Sequence, residues 1–116
     1  MDEKIGLSVT VLAGIGVFRF SGSLGVFHVE TLQRRVLEAI EREGCGRVVF
    51  SFTDLRFVDS AVAGALVGLQ ERLRGQVEIR LSGVRGHVQE TFAYGNVLPR
   101  FRIFETEEKA LASFQD

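Results

Sequence analysis

The sequence has one cysteine, one proline and no tryptophan, and nowhere does it carry a block of like charge. With Cys45 alone there is no intramolecular disulfide, which suits a reducing compartment. Lys and Arg number 14 against 15 Asp and Glu, leaving a formal net charge of −1. No basic stripe is present to hold a phosphate backbone, so nucleic acid is not an expected partner. The opening "MDEKIGLSV" is acidic and has no apolar core of the kind that marks an export signal. The uncharged stretch over residues 5–18 includes three glycines, Ser8 and Thr10, and falls short of the roughly 20 apolar residues that span a bilayer. The expectation is one cytoplasmic domain over residues 1–116, its core at about 5–114, with no insertion into a membrane.

Catalytic signatures are missing too. There is no GxxxxGK[ST] phosphate loop, and no GxGxxG opens a helix after the first strand. His28 and His87 stand singly on different elements, which gives no zinc cluster and suits surface or half-exposed histidines. Cys45, between Gly44 and Gly46, has no evident histidine to activate it. GxSxG is absent around Ser60. The expectation is a protein that is not an enzyme and that uses no cofactor or metal.

What is present is a regular alternation of apolar patterns. "LSVTVLA" and "IGVFRFSG" flank Gly14 and predict a hairpin, after which "SGSLG" breaks the pattern. Over residues 29–43, Leu32, Val36, Ala39 and Ile40 recur at helical spacing, and Gly44 and Gly46 close that helix. "RVVFSF" is a strand apolar enough to be covered on both faces, and "TDLRF" follows as a turn. A helix over about 60–73 ends before Gly75, "VEIRLSG" is the next strand, and "VRGHVQETFAYGN" is a weaker helix. "VLPRFRIF" is short and extended or turning. "TEEKALASF" is a last helix capped by Thr106, with Glu107 and Glu108 in its first turn and Lys109 in place of the glutamate of a full capping box. This order predicts an α/β fold, a mixed sheet of about four to five strands opened by a hairpin, with about four helices.

The segment "FVDSAVAGALVGL" carries the most information. Val62, Leu66, Leu69 and Leu73 form one apolar stripe of its helix, a core face. Ala61, Gly64, Ala65 and Gly68 form a second stripe. Two glycines inside a helix cost about 1 kcal/mol each relative to alanine. Either close packing within the domain or a flat surface for a partner would repay them, and spacing does not choose between these. Asp59 caps the helix. Ser60, in the first turn, would tolerate a phosphate there, since helix N-termini accept anions; the added charge beside Asp59 would repel a partner docked on the small-residue stripe.

These residues resemble the STAS domain, the fold of bacterial anti-sigma factor antagonists, over almost the whole chain. "FRFSGSL" resembles the family's second strand with its Gly-x-Leu ending. "RVVFSFTDLRFVDSAVAGAL" resembles the hallmark strand, turn and Asp-Ser helix start. "VEIRLSGV" and "LPRFRIFETEEKAL" resemble the later strand and the C-terminal run. The resemblance implies a partner-switching regulator. Its partner would be an anti-sigma factor that is also a serine-protein kinase of the histidine-kinase-like ATPase class, bound through Asp59, Ser60, Ala61, Gly64, Ala65 and Gly68 and released when Ser60 is phosphorylated. The kinase would bring the ATP. It also implies alternatives: a stressosome-like scaffold, to which "Ala61-Val62-Ala63" after the serine is similar, or a cytoplasmic accessory subunit of a lipid-transport ABC complex. Two positions depart from the family. Ser51 and Gly25 stand where many antagonists carry acidic residues, which lowers the negative charge expected near Ser60.

Overall fold

The structure is a computed structural model that describes residues 4–115. Strands β1 (Gly6–Leu12) and β2 (Ile15–Leu24) form the hairpin. Ala13 and Gly14 turn it, both at positive φ, 52° and 80°, as a two-residue loop matched to strand twist requires. A single 3-10 turn (Val26–His28) leads into α1 (Val29–Glu43), which ends on Gly44 at φ 66°. Then come β3 (Arg47–Val58), α2 (Ser60–Leu73), β4 (Glu78–Ser82), α3 (Gly86–Tyr94), a second 3-10 turn (Leu98–Arg100), β5 (Arg102–Phe104) and α4 (Glu107–Ala112).

The strands lie in the order β1-β2-β3-β4-β5. β1 is antiparallel to β2 and the remaining pairs are parallel. This is the expected mixed sheet opened by a hairpin. Alternation along the central strands sends Phe18, Phe20, Val48, Phe50 and Phe52 into the main core, where Leu32 and Val36 of α1, Val62, Leu66 and Leu69 of α2, and Val88 and Phe92 of α3 meet them. Edge-on and stacked ring pairs, Phe18 with Phe50, Phe20 with Phe52 and Phe52 with Phe92, fill its centre at 5.2 to 5.5 Å between centroids. Val49 points the other way and joins Ile15, Ala110 and Phe114 in a smaller cluster beneath α4.

Two elements differ from the sequence expectation. β2 does not break at "SGSLG", as its local pattern predicts, but continues through Ser21, Gly22, Ser23 and Leu24, as the resemblance of "FRFSGSL" to the family's second strand implies. β3 likewise continues through "TDLRFV" instead of turning. Their pairing absorbs two irregularities, between Arg19 and Ser21 and between Gly22 and Ser23, and each places one extra β3 residue against β2. Gly22, at φ 79°, permits this. The bulges break simple alternation: Leu55 and Val58 turn inward while Arg56 and Phe57 turn out. They carry the end of β3, and with it Asp59 and Ser60, beyond Ser51, its last residue paired with β4.

Candidate functional site

α2 starts where β3 ends, and the Asp59 carboxylate organises the junction. Its Oδ1 accepts hydrogen bonds from the amides of Ala61 at 3.0 Å and Val62 at 3.2 Å. Its Oδ2 accepts one from the amide of Val26 at 2.9 Å. One side chain therefore caps α2 and also holds the start of the 3-10 turn after β2. The Asp59 amide donates to the Leu24 carbonyl at 3.3 Å, closing the same junction through the backbone. The turn is pinned further by His28, whose Nδ1 accepts from the Gly25 amide at 2.9 Å. That bond places the proton on Nε2 when His28 is neutral.

Asp59 meets the orphan amides of the first turn, so Ser60 is not needed for capping. It is solvent-exposed at the first position of α2, and its hydroxyl makes no hydrogen bond among the described residues. Along the small-residue stripe, Gly64 and Gly68 are exposed and Ala61 is half-buried. A Cβ built on Gly64 would touch nothing within 4 Å, and one on Gly68 would meet only the Gln33 Nε2 at 3.5 Å. Close packing within the domain therefore does not account for these glycines. Ala65 departs from the stripe. It is 5% exposed, its carbonyl accepts from Gln33 of α1 at 3.3 Å, and it adds almost no surface for a partner. The tight helix contact of the domain lies elsewhere, at Gly95, where an added Cβ would come within 2.7 Å of the Ala63 Cβ.

The two departures at Ser51 and Gly25 have different surroundings. Ser51 is 4% exposed in the body of β3, in a row with Arg19, Ser82 and Phe104 across the sheet. It lies back along the strand from Ser60, so its lack of charge bears on the sheet rather than on the serine. Gly25 does border the site. A Cβ there would lie 3.1 Å from Asp59 Oδ2, and an acidic side chain would add like charge against that carboxylate.

Sequence patterns did not reveal the apolar surroundings of Ser60. Val26 and Phe27, 56% and 82% exposed, lie on the 3-10 turn that Asp59 holds. Near the end of β3, three residues before Ser60, the exposed ring of Phe57 stacks on His87, with centroids 4.9 Å apart. His87 Nε2 lies 2.9 Å from the Val58 carbonyl and so donates to it. Thr91 Oγ1 donates to the same oxygen at 3.4 Å. Tyr94, one turn further along α3, is 93% exposed. The one readable signal was Phe57, an aromatic between Arg56 and the inward Val58, but it needed the bulged register to be assigned a side.

Among the described residues no side chain is hydrogen-bonded to the Ser60 hydroxyl. No group of three or more His, Cys, Asp and Glu that could hold a metal occurs among the described residues. No helix among them is long and apolar enough to cross a membrane. The Cys45 thiol is buried, and burial first, with the Glu43 charge adding to it, pushes its pKa above the ordinary thiol value.

A comparison with protein families matches residues 7–110 to the STAS domain. The chain is 24% identical over 103 residues to the anti-sigma F factor antagonist of Paenibacillus polymyxa, covering 88% of each chain. Among solved structures, an anti-sigma factor antagonist from Mycobacterium paratuberculosis superposes with a TM-score of 0.87 at 15% identity, with 100% of both chains covered. The phosphorylated form of SpoIIAA, a Bacillus cell fate determinant, superposes with a TM-score of 0.70 at 22% identity, covering 94% of this chain and 99% of that one.

Proposed function

Because the chain belongs to the STAS domain family, we propose that it is an anti-sigma factor antagonist, a binding protein without turnover of its own, switched by phosphorylation of Ser60. The observation that carries this reading is the division of labour between Asp59 and Ser60. Asp59 satisfies the helix amides, which leaves the Ser60 hydroxyl exposed and unengaged. A serine in that position can be modified without dismantling the cap. A phosphate on it brings about two negative charges to the positive end of α2, which tolerates them, and sets them beside the Asp59 carboxylate.

The partner surface we infer is formed by Asp59, Ser60, Ala61, Gly64 and Gly68, together with the exposed Phe27, on the turn that Asp59 holds, and Phe57, near the end of β3. Aromatic side chains at the edge of a side-chain-poor helix face offer the kind of anchors that dominate protein interfaces. The partner is an anti-sigma factor that is itself a serine kinase of the histidine-kinase-like ATPase class. It supplies the nucleotide, and phosphorylation of Ser60 ends the complex.

Affinity capture from the native cell with wild type, Ser60→Ala and Ser60→Asp, read by mass spectrometry, tests the proposal. The expected result is one ATPase-domain protein retained by wild type and Ser60→Ala and lost with Ser60→Asp. Equal retention of that protein by all three would end the phospho-switch reading. A large particle formed by the chain itself would favour a scaffold, and co-capture of a membrane ATPase regardless of Ser60 would favour a transporter subunit.

A further inference from the structure

The outer edge of β1 is unpaired: in the sheet order β1 has β2 on one side and no strand on the other among the described residues. The hairpin turn fixes which groups face outward. With Ala13 and Gly14 as its two turn residues, Leu12 and Ile15 form the hydrogen-bonded pair that flanks the loop. Alternation then turns the amides and carbonyls of Thr10, Ser8 and Gly6 toward β2, and those of Val11, Val9 and Leu7 away from it. Arg35 Nη2 reaches the Leu7 carbonyl from α1 at 3.4 Å, which agrees with that oxygen pointing outward.

Exposed edges are usually protected by a lysine, a proline, a bulge or a covering element. Arg35 covers the Leu7 carbonyl at one end of the edge, but the strand itself contains no charge and no proline, and its register with β2 is unbroken from Gly6 to Leu12. Its sequence is also self-complementary. Reversed about Val9, Leu7 falls opposite Val11, Ser8 opposite Thr10, and Val9 opposite itself. Leu7, Val9 and Val11 share one face of the strand, while Ser8 and Thr10 share the other. An antiparallel partner in this register therefore meets apolar with apolar and hydroxyl with hydroxyl. In a two-fold pair each residue meets its counterpart reciprocally, so a match made on one side of Val9 is made again on the other.

We propose that this edge binds a second copy of the chain, β1 against β1 about a two-fold axis through Val9. The facing residues Leu7, Val9 and Val11 supply about six ladder hydrogen bonds, two for each opposed pair, the Leu7 carbonyl taking its ladder bond on a second lone pair beside the bond from Arg35. The two five-stranded sheets join into one. β2 lies between this edge and β3, so the pairing leaves the start of α2 on each copy open. The inference does not depend on the partner assigned to Ser60.

Three measurements on the full chain test it. Sedimentation equilibrium over a concentration series should show wild type passing from monomer to dimer. Val11→Pro removes an outward amide that the monomer does not use, so it should keep the wild-type circular dichroism and melting curve while remaining monomeric. Under mild oxidation, Val9→Cys should form a covalent dimer faster than Ser8→Cys or Thr10→Cys, because a hydrogen-bonded antiparallel pair sets its Cα atoms about 5.5 Å apart, within disulfide reach. The buried Cys45 is the only other thiol, and wild type serves as its control. A wild type that stays monomeric at the highest concentration overturns the proposal. So does a dimer that survives Val11→Pro, or cross-linking that favours position 8 or 10.

Discussion

The Asp59 carboxylate and the Val26 amide are joined by a 2.9 Å hydrogen bond between residues 33 apart in sequence. The bond couples the start of α2 to the turn that presents Val26 and Phe27. Asp59→Ala should destabilise the protein by about 1 to 2 kcal/mol, the range for loss of a helix cap. It should also raise hydrogen exchange at Val26 together with Ala61 and Val62. Exchange that rises only in α2 would show that the turn is held by other contacts. Denaturant titration and amide exchange on the same variant make both checks.

Glycines 64 and 95 predict opposite outcomes for the same substitution. Gly64→Ala places a methyl group in open space on a helix and should stabilise by about 0.5 to 1 kcal/mol. If the proposed surface is right, it should weaken capture of the partner at the same time. Gly95→Ala forces a Cβ to within 2.7 Å of the Ala63 Cβ and should destabilise by about 1 to 3 kcal/mol, the overpacking range. Equal midpoints for the two variants in urea would contradict the packing described for α2 and α3.

The hairpin turn holds a strained residue. Ala13 has φ 52°, where a non-glycine side chain is uncommon and asparagine is favoured. Ala13→Asn creates the Asn-Gly pair preferred in this turn and should raise stability by about 0.5 to 1 kcal/mol. A lower melting temperature for this variant would count against the turn geometry.

For Cys45, burial raises the thiol pKa. In the folded state the thiol stays protonated to higher pH than in the unfolded chain. Its contribution to stability is therefore fully present below the unfolded thiol pKa and is lost as pH rises toward the raised folded value. Alkylation by iodoacetamide at pH 8 should be at least about tenfold slower than for the same chain in denaturant, since thiolate and access are both required. Equal rates in the two conditions would place the thiol at the surface.

The helices were legible because their signals are local. The apolar spacing of Leu32, Val36, Ala39 and Ile40, the Gly44 stop, and the Asp59 and Thr106 caps each act within a turn or two; Thr106 Oγ1 accepts from the Lys109 amide as the pattern predicts. The long ends of β2 and β3 were not legible in the local pattern, and only that of β2 was legible in the resemblance of "FRFSGSL". Small residues and charges in "SGSL" and "TDLRFV" signal a turn when read singly, and become strand only because each segment pairs with the other across two bulges. Ala65 was misassigned to the surface for a related reason. Helical spacing gives its angle on α2 but not the reach of Gln33 from α1. The second bond of Asp59 could not be seen at all, since a carboxylate before a helix says nothing of an amide in another loop.

The unequal lengths of β3 and β4 bear on how the kinase proposed above would recognise Ser60. β4 stops level with Ser51, while β3 runs on to Val58 with β2 beside it. The serine is thus presented at the end of paired strands, with α3 bonded to the Val58 carbonyl, rather than on a long loop. A catalytic cleft closing over it meets a folded surface and has no extended segment to thread. Shape, not linear sequence, would then be the specificity determinant, and an isolated peptide carrying "RFVDSAVAG" would make a poor substrate for the proposed kinase.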